Sequence, residues 1–279
     1  MKPSDRAALL RPMELVRLRR LATDVEALDI AVGIPRQGPP KAAVEAAVAA
    51  LAEGRHQYVE PAGLPELRAA IAADRGRSTG TAVDPTAEVT VTCGAIEALL
   101  VAVLATTDPG DEVLIPEPFY ESYPGIVRMA GAVPVAVPLT VPGWQLDVDA
   151  LRRAVTPRTR AVILNTPHNP TGRVFTSGEM AAVVDLCAER GLVCVTDETY
   201  DHYVFDGQPM VSGWSVPGGR ARVIVTGGLS KTLRMTGWRI GYCIADPGMT
   251  DVLRRVHERT TISAPAPLQY GAEIGRAHV

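Results

Sequence analysis

From Pro40 onward the chain alternates two kinds of apolar pattern. Short continuous runs, bounded by glycine, proline and polar residues, occur at Glu88–Thr92, Glu112–Ile115, Val133–Val137, Ala161–Asn165, Leu192–Thr196, Arg222–Thr226 and Ile240–Ile244. Runs of this length predict strands buried on both faces. Between most of them lie segments with helical spacing, Ile96–Ala105, Tyr120–Ala130 and Ser177–Arg190, preceded by predicted helices over Lys41–Glu53 and Pro65–Ala73. Pro39-Pro40 before the first of these and Gly54 after it are the expected punctuation, because proline fits the first helical turn and glycine the residue past the end. Apolar strands separated by helices predict an α/β fold, a three-layer sandwich with a mostly parallel sheet covered on both faces. Before Pro40, the roughly helical spacing of Leu9, Leu10, Met13, Val16 and Leu21 predicts an amphipathic arm packed on the protein. Residues 1–39 are therefore a lead-in and residues 40–273 one domain, without repeat, charge block or dividing linker.

Composition narrows the function classes. The 279 residues are 47% hydrophobic and 21% charged, which supports a deep core and excludes general disorder. Lys and Arg total 28 against 31 Asp and Glu, so the net charge of −3 gives no field that would recruit nucleic acid or an anionic membrane. No apolar run approaches the roughly 18 residues of a spanning helix, and the first residues lack the apolar stretch and cleavage site of a secretory signal. The 4 cysteines form no C-x-x-C pair and have no histidine at ligand spacing. That argues against zinc and a disulfide framework and predicts buried thiols in a reducing cytoplasm. No G-x-G-x-x-G follows any strand, which counts against a dinucleotide site.

In open α/β sheets, ligands bind outside the carboxyl ends of the strands. Four such ends carry chemistry here. Cys93-Gly94-Ala95-Ile96-Glu97 is a glycine turn opening a helix, whose free N–H groups and dipole favour an anion. Asn165-Thr166-Pro167-His168-Asn169-Pro170-Thr171-Gly172 follows another strand, and Asp197-Glu198-Thr199-Tyr200 a third. An isolated buried carboxylate is costly, so Asp197 is expected to be uncharged, paired or functional, with a helix N-cap as the plainer alternative. Gly227-Gly228-Leu229-Ser230-Lys231 brings a lysine to the rim, where burial lowers an amine's pKa and suits it to Schiff-base chemistry.

Together these residues carry a resemblance. Asn169-Pro170-Thr171-Gly172, Asp197-x-x-Tyr200 and the block Ser230-Lys231-Thr232-x-x-Met235-Thr236-Gly237-Trp238-Arg239-Ile240-Gly241-Tyr242 resemble the class I/II aminotransferases, pyridoxal 5'-phosphate (PLP) enzymes of fold type I. His56-Gln57-Tyr58 and Gly63-Leu64-Pro65-Glu66-Leu67-Arg68 match upstream, in order. The resemblance implies transfer of an amino group between an amino acid and a 2-oxo acid by a ping-pong Schiff-base mechanism. It makes Lys231 the Schiff-base and proton-transfer residue, and Asp197 the partner of the pyridine nitrogen. Asn169 and Tyr200 would bond the cofactor's phenolic oxygen, and Tyr120 would stack on its ring. Arg239, Ser230 and the backbone N–H groups of Ala95 and Ile96 would hold the phosphate. Tyr58 would reach the cofactor of a second subunit, implying a homodimer, and Gly33 would line the substrate carboxylate site.

This sequence also departs from the family pattern. Gly228 stands where relatives often carry a hydroxyl, Ile96 where many carry Ser or Thr, and Arg36–Pro39 is shorter than usual. His168 reads as structural. Other fold type I reactions, such as a C–S lyase or an amino-acid synthase, share most of these residues and stay open. A non-catalytic PLP-binding regulator is a more remote alternative, since it would need a DNA-binding module upstream. The resemblance also implies a C-terminal small domain, with a substrate-binding arginine, that these residues do not include. Ile274-Gly275-Arg276-Ala277-His278-Val279 matches the translation of a common sequencing adapter, so the natural sequence is expected to end near Glu273.

Overall fold

The computed structural model describes residues 1–277. Helices α1 (Asp5–Ala8) and α2 (Glu14–Asp24) form the arm, followed by α3 (Lys41–Ala52) and α4 (Pro65–Thr79). Strands and helices then alternate: β1 (Val89–Thr92), α5 (Gly94–Thr106), β2 (Glu112–Glu117), α6 (Ser122–Met129), β3 (Val133–Pro138), α7 (Val148–Ala154), β4 (Thr159–Asn165), α8 (Ser177–Arg190) and β5 (Val193–Asp197). After a long connection come β6 (Val223–Gly228), α9 (Leu229–Thr232), β7 (Gly241–Ile244), α10 (Pro247–Thr260) and α11 (Ala266–Ala277). Local signals set several ends. Pro65 opens α4 and Gly80 closes it at φ 69°; Thr176 and Glu179 form a reciprocal capping box on α8.

All seven predicted strands join one sheet in the order β1-β7-β6-β5-β4-β2-β3. The pairs β2–β3, β2–β4, β4–β5 and β5–β6 are parallel, while β7 is antiparallel to both β6 and β1. The sheet is thus mostly parallel, with one reversed strand that brings the chain back to the rim just before Gly241. Successive strand residues feed opposite faces: Val162 and Leu164 join one core with Leu67, Val183 and Leu186, and Ala161 and Ile163 join another with Leu99, Val127 and Leu253. Both faces are dry, which is why the strands read as unbroken apolar runs.

Some expectations need correction. β3 is an edge strand: Val133 is 46% exposed and, of its apolar run, Val137 alone is buried. The helix expected over Pro65–Ala73 runs on to Thr79, with Asp74 and Arg75 buried in its last turns, and Gly80 stops it. The helix expected over Tyr120–Ala130 begins at Ser122, which leaves Tyr120 in the loop over the strand ends. Gly227 and Gly228 lie inside β6 rather than in a turn. The arm is only loosely packed: no residue of α1 or α2 is buried, and Leu9, Val16 and Leu21 are exposed. Too short to enclose a core, it lays residues such as Leu15 and Leu18 along the cavity described below. Cys187, Cys194 and Cys243 are buried free thiols as expected, and Cys93 is half-buried. Of the segment 274–279, His278 and Val279 lie outside the described residues.

Candidate active site

The carboxyl ends of β1, β4, β5 and β6 open into a cavity of about 700 Å³, within the range of about 300–1,000 Å³ common for small-molecule sites. It is lined by Lys231, Asp197, Tyr200, Asn169, Tyr120, Ala95, Ile96, Ser230, Arg239 and Gly33, residues that the sequence singled out from points far apart in the chain. Tyr58 stands apart from it and is 79% exposed.

One end of the cavity is a cradle for an anion. Helix α5 starts at Gly94 with φ 78°, and its N-cap residue, Cys93, offers no side-chain bond. The N–H groups of the first turn have no acceptor within the helix, and the dipole adds partial positive charge there. Arg239, itself at φ 56°, lies against this turn and donates from Nη1 to the Thr236 carbonyl at 2.9 Å. The approach is possible only because Gly94 lacks a side chain: a Cβ there would overlap Nη2 and lie 2.8 Å from Cζ of Arg239. Gly241 has the same role toward the backbone, since its Cβ would sit 2.5 Å from the Ala95 nitrogen. Gly228 supplies no hydroxyl, and Ser230 lines the cavity nearby.

Asp197 ends β5 at the cavity floor and is 6% exposed. Tyr123 Oη donates to its Oδ2 at 2.8 Å, and Thr199 donates to Oδ1 through its hydroxyl at 2.7 Å and its N–H at 3.1 Å. Burial pushes the carboxyl above its ordinary value against the opposing pull of these donors. Among the described residues Asp197 has no ion-pair partner. A buried carboxylate lined up by donors and facing a cavity is suited to a cationic atom of a ligand.

Lys231 approaches from α9. Its Nζ donates to the Gly33 carbonyl and lies 5.8 Å from the centroid of the Tyr200 ring. Burial lowers its pKa from that of a free lysine, so more of the amine is neutral and nucleophilic. Desolvation likewise raises the pKa of the Tyr200 phenol, with Asp197 adding to the shift, so that hydroxyl stays a donor. Asn169 is held at the rim by its backbone N–H, which donates to Asn165 Oδ1 at 2.6 Å. His168 is structural, as read: buried, 2.8 Å from the Thr171 hydroxyl, and pushed by burial to a pKa of about 4.

Several residues of the site escaped the sequence reading. Tyr123 and Thr199 hold Asp197, and Asn165 ties β4 to β5 by donating to the Asp197 carbonyl at 2.9 Å. The helical spacing expected over Tyr120–Ala130 was a signal for Tyr123, which lies in the first turn of α6 while Tyr120 stays in the preceding loop. Glu121 accepts the N–H of Glu14 at 2.9 Å and so docks the start of α2 against the cavity. Behind the cradle, Glu97 accepts hydrogen bonds from His257, Thr260, Thr261 and the N–H of Cys93. Apart from Cys93, the partners come from α10 and the residue just after it, distant in sequence, so no local pattern announces them.

A mostly parallel seven-stranded sheet between helical layers, with a cradle, a carboxylate and an amine along its carboxyl rim, is the fold of the type I aminotransferases. The family model for aminotransferase class I and II matches residues 25–273, and the chain belongs to that family. It is 45% identical over 253 residues to the probable N-succinyldiaminopimelate aminotransferase DapC of Mycobacterium tuberculosis, covering 89% of this chain and 63% of that protein. It is 38% identical over 272 residues to the aspartate/prephenate aminotransferase of Thermus thermophilus, covering 97% of this chain and 68% of the relative. The solved structure of the mycobacterial N-succinyldiaminopimelate aminotransferase superposes with a TM-score of 0.95 at 39% identity, over 99% of this chain and 72% of that one. The Escherichia coli protein YbdL, described with a methionine aminotransferase function, superposes at 0.94 and 32% identity, over 100% of this chain and 73% of YbdL. The chain thus spans about 63% of the length of the mycobacterial relative. Among the described residues, no helix is long and apolar enough to cross a membrane.

Proposed function

We propose that this chain is the PLP-binding part of an aminotransferase that moves an amino group between an amino acid and a 2-oxo acid in two half-reactions. The observation that carries this reading is Asp197, a buried carboxylate without an ion-pair partner among the described residues, in one cavity with the half-buried amine of Lys231 and the anion cradle. PLP has a part for each: a ring nitrogen that takes a proton, a carbonyl that an amine attacks, and a phosphate. Bound there, it supplies an electron sink for negative charge at the substrate α-carbon.

Arg239, Ser230 and the N–H groups of Ala95 and Ile96 would hold the phosphate. Asp197, fixed by Tyr123 and Thr199, would keep the ring nitrogen protonated by its negative charge. Asn169 and Tyr200 would donate to the ring oxygen, and Tyr120 would cover the ring face. Lys231 Nζ would hold the cofactor through its carbonyl group and would serve as the base that takes and returns the proton at the substrate α-carbon. Gly33, whose carbonyl holds Nζ, would border the substrate carboxylate. We further assign residues 1–39 as a lead-in and 40–273 as the cofactor domain, of a cytoplasmic enzyme of amino-acid biosynthesis. Exposed Tyr58 supports a homodimer in which it reaches the other subunit's cofactor. The relatives are named for different amino donors, so the reading is kept to the class of amino acid and 2-oxo acid.

Borohydride reduction of the chain incubated with PLP tests the reading. The expected result is PLP fixed to the peptide containing Lys231 and absent from Lys231→Ala. Labelling spread over surface lysines, unaffected by Lys231→Ala, would overturn it. In the full-length enzyme, release of ammonia without a 2-oxo acid acceptor would favour a lyase instead.

A further inference from the structure

Behind the site lies a buried ion cluster that the functional reading does not use. Arg75, on α4, is 1% exposed. Its Nη1 donates to Asp201 Oδ2 at 2.8 Å, and its Nη2 donates to Glu198 Oε2. Glu198 directly follows Asp197 and Asp201 directly follows Tyr200 in the chain. The other Glu198 oxygen accepts from the hydroxyls of Thr196 and Ser212, each at 2.9 Å, and from the N–H of Gly213 at 3.2 Å. Asp201 reaches the lysine helix as well: Thr232 Oγ1, next to Lys231, lies 3.4 Å from its Oδ1. Tyr203 closes the loop by donating to the Lys231 carbonyl at 3.0 Å. Around this cluster stand Asp74 and His202, with His202 Nε2 at 3.4 Å from Asp74 and 3.9 Å from Asp201, and Tyr242 lies near Arg75.

A buried arginine with two carboxylates is seldom kept for stability alone, since desolvation offsets most of the Coulomb gain. What it does here is geometric and electrostatic. One rigid planar fork bonds the second and fifth members, Glu198 and Asp201, of a five-residue segment whose first and fourth members, Asp197 and Tyr200, line the cavity, and through Asp201 it meets the helix that carries Lys231. It also places one positive charge against two negative ones directly behind the site.

We propose that Arg75 is a positioning residue of the PLP site, locking the Asp197–Asp201 segment to the Lys231 helix and cancelling negative charge that would otherwise act on both. This rests on the reading of Lys231 and Asp197 given above. Without Arg75, the field of Glu198 and Asp201 would hold the proton of the cofactor-linked Lys231 nitrogen more tightly. Facing that nitrogen are Tyr200, Asp197 and Arg239 across the cavity, Tyr120 from the β2–α6 loop and the Gly33 carbonyl from the arm.

The test is a pH titration of the visible absorbance of PLP bound to the 279-residue chain, in the parent, Arg75→Met, Arg75→Lys and the charge-balanced Arg75→Met/Glu198→Gln. Arg75→Met should move the transition up by about half to one pH unit. Arg75→Lys should move it less, and the charge-balanced variant should return it toward the parent value because the net charge of the cluster is again that of the parent. Identical transitions in all four would overturn the proposal, as would an equal displacement in Arg75→Met and the charge-balanced variant. If Arg75→Met does not fold, Arg75→Lys against the charge-balanced variant decides the question by the same comparison. A parent that shows no Lys231-dependent band fails the functional reading itself, which keeps the two outcomes apart.

Discussion

Replacing Gly94 by alanine adds one methyl group where the cradle has no room for it. Gly94 sits at φ 78°, and its new Cβ would overlap Arg239 Nη2. The left-handed backbone costs an L-residue about 1–2 kcal/mol. The overlap itself is with the end of a flexible side chain, so Arg239 swings away and the fold survives with a modest loss of thermal stability. The functional loss is different in kind. A charge-assisted hydrogen bond is worth about 1.5–3 kcal/mol, so losing the guanidinium should weaken binding of a phosphate by roughly 10- to 150-fold. The assay is a titration with PLP and, in parallel, with pyridoxal, which lacks the phosphate. Gly94→Ala should lose the advantage of PLP over pyridoxal while binding pyridoxal as the parent does. Unchanged PLP affinity would refute the assignment of Gly94 and Arg239 to a phosphate cradle, and so would an equal loss for both ligands.

Further expectations follow from the same geometry. Gly241→Ala should be far more disruptive than Gly94→Ala, because its Cβ would meet the fixed backbone of Gly94 and Ala95 rather than a side chain; we expect a loss of about 3 kcal/mol or more in urea unfolding. Tyr123→Phe removes the 2.8 Å donor to Asp197 Oδ2, should cost about 1.5–3 kcal/mol of the ionised form, and should raise the Asp197 pKa further, seen by NMR titration of its carboxyl carbon. Burial raises the Glu97 pKa, but its donors outweigh that and bring it from 4.5 to about 2. A depressed carboxyl stabilises the fold above its unfolded pKa, so on the order of 3 kcal/mol should be lost as pH falls from 4.5 to about 2; Glu97→Gln should flatten that part of the stability profile. Buried His168 has its pKa lowered from 6.5 to about 4. The unfolded chain takes up this proton first, so stability should fall as pH drops from 6.5 toward 4, and a slope unchanged in His168→Asn would refute the assignment.

Much of the fold was legible because burial on both faces leaves a plain mark. A strand such as Ala161–Asn165 has almost no polar position, and a helix such as Ser177–Arg190 carries its own cap and its own stop at Gly191. The edge position of β3 had one signal, Pro134, which cannot donate to a strand ladder, but the run Val133–Val137 is otherwise as apolar as a central strand. The reversed direction of β7 was hidden for the same reason: a four-residue run reads alike both ways.

The sequence by itself determined which residues stand at the strand ends, because strand length, glycine turns and motif order are local properties. It therefore pointed to Lys231, Asp197, Asn169 and Tyr200, and the resemblance to the aminotransferases added Arg239. Tertiary structure alone decided what supports them: Tyr123 under Asp197, Gly94 yielding space to Arg239, Glu97 against His257, and Arg75 between Glu198 and Asp201. These contacts join residues up to 160 positions apart in the chain. Their free energy depends on burial and on angstrom-scale approach, and neither quantity exists until the sheet has closed the layers around it.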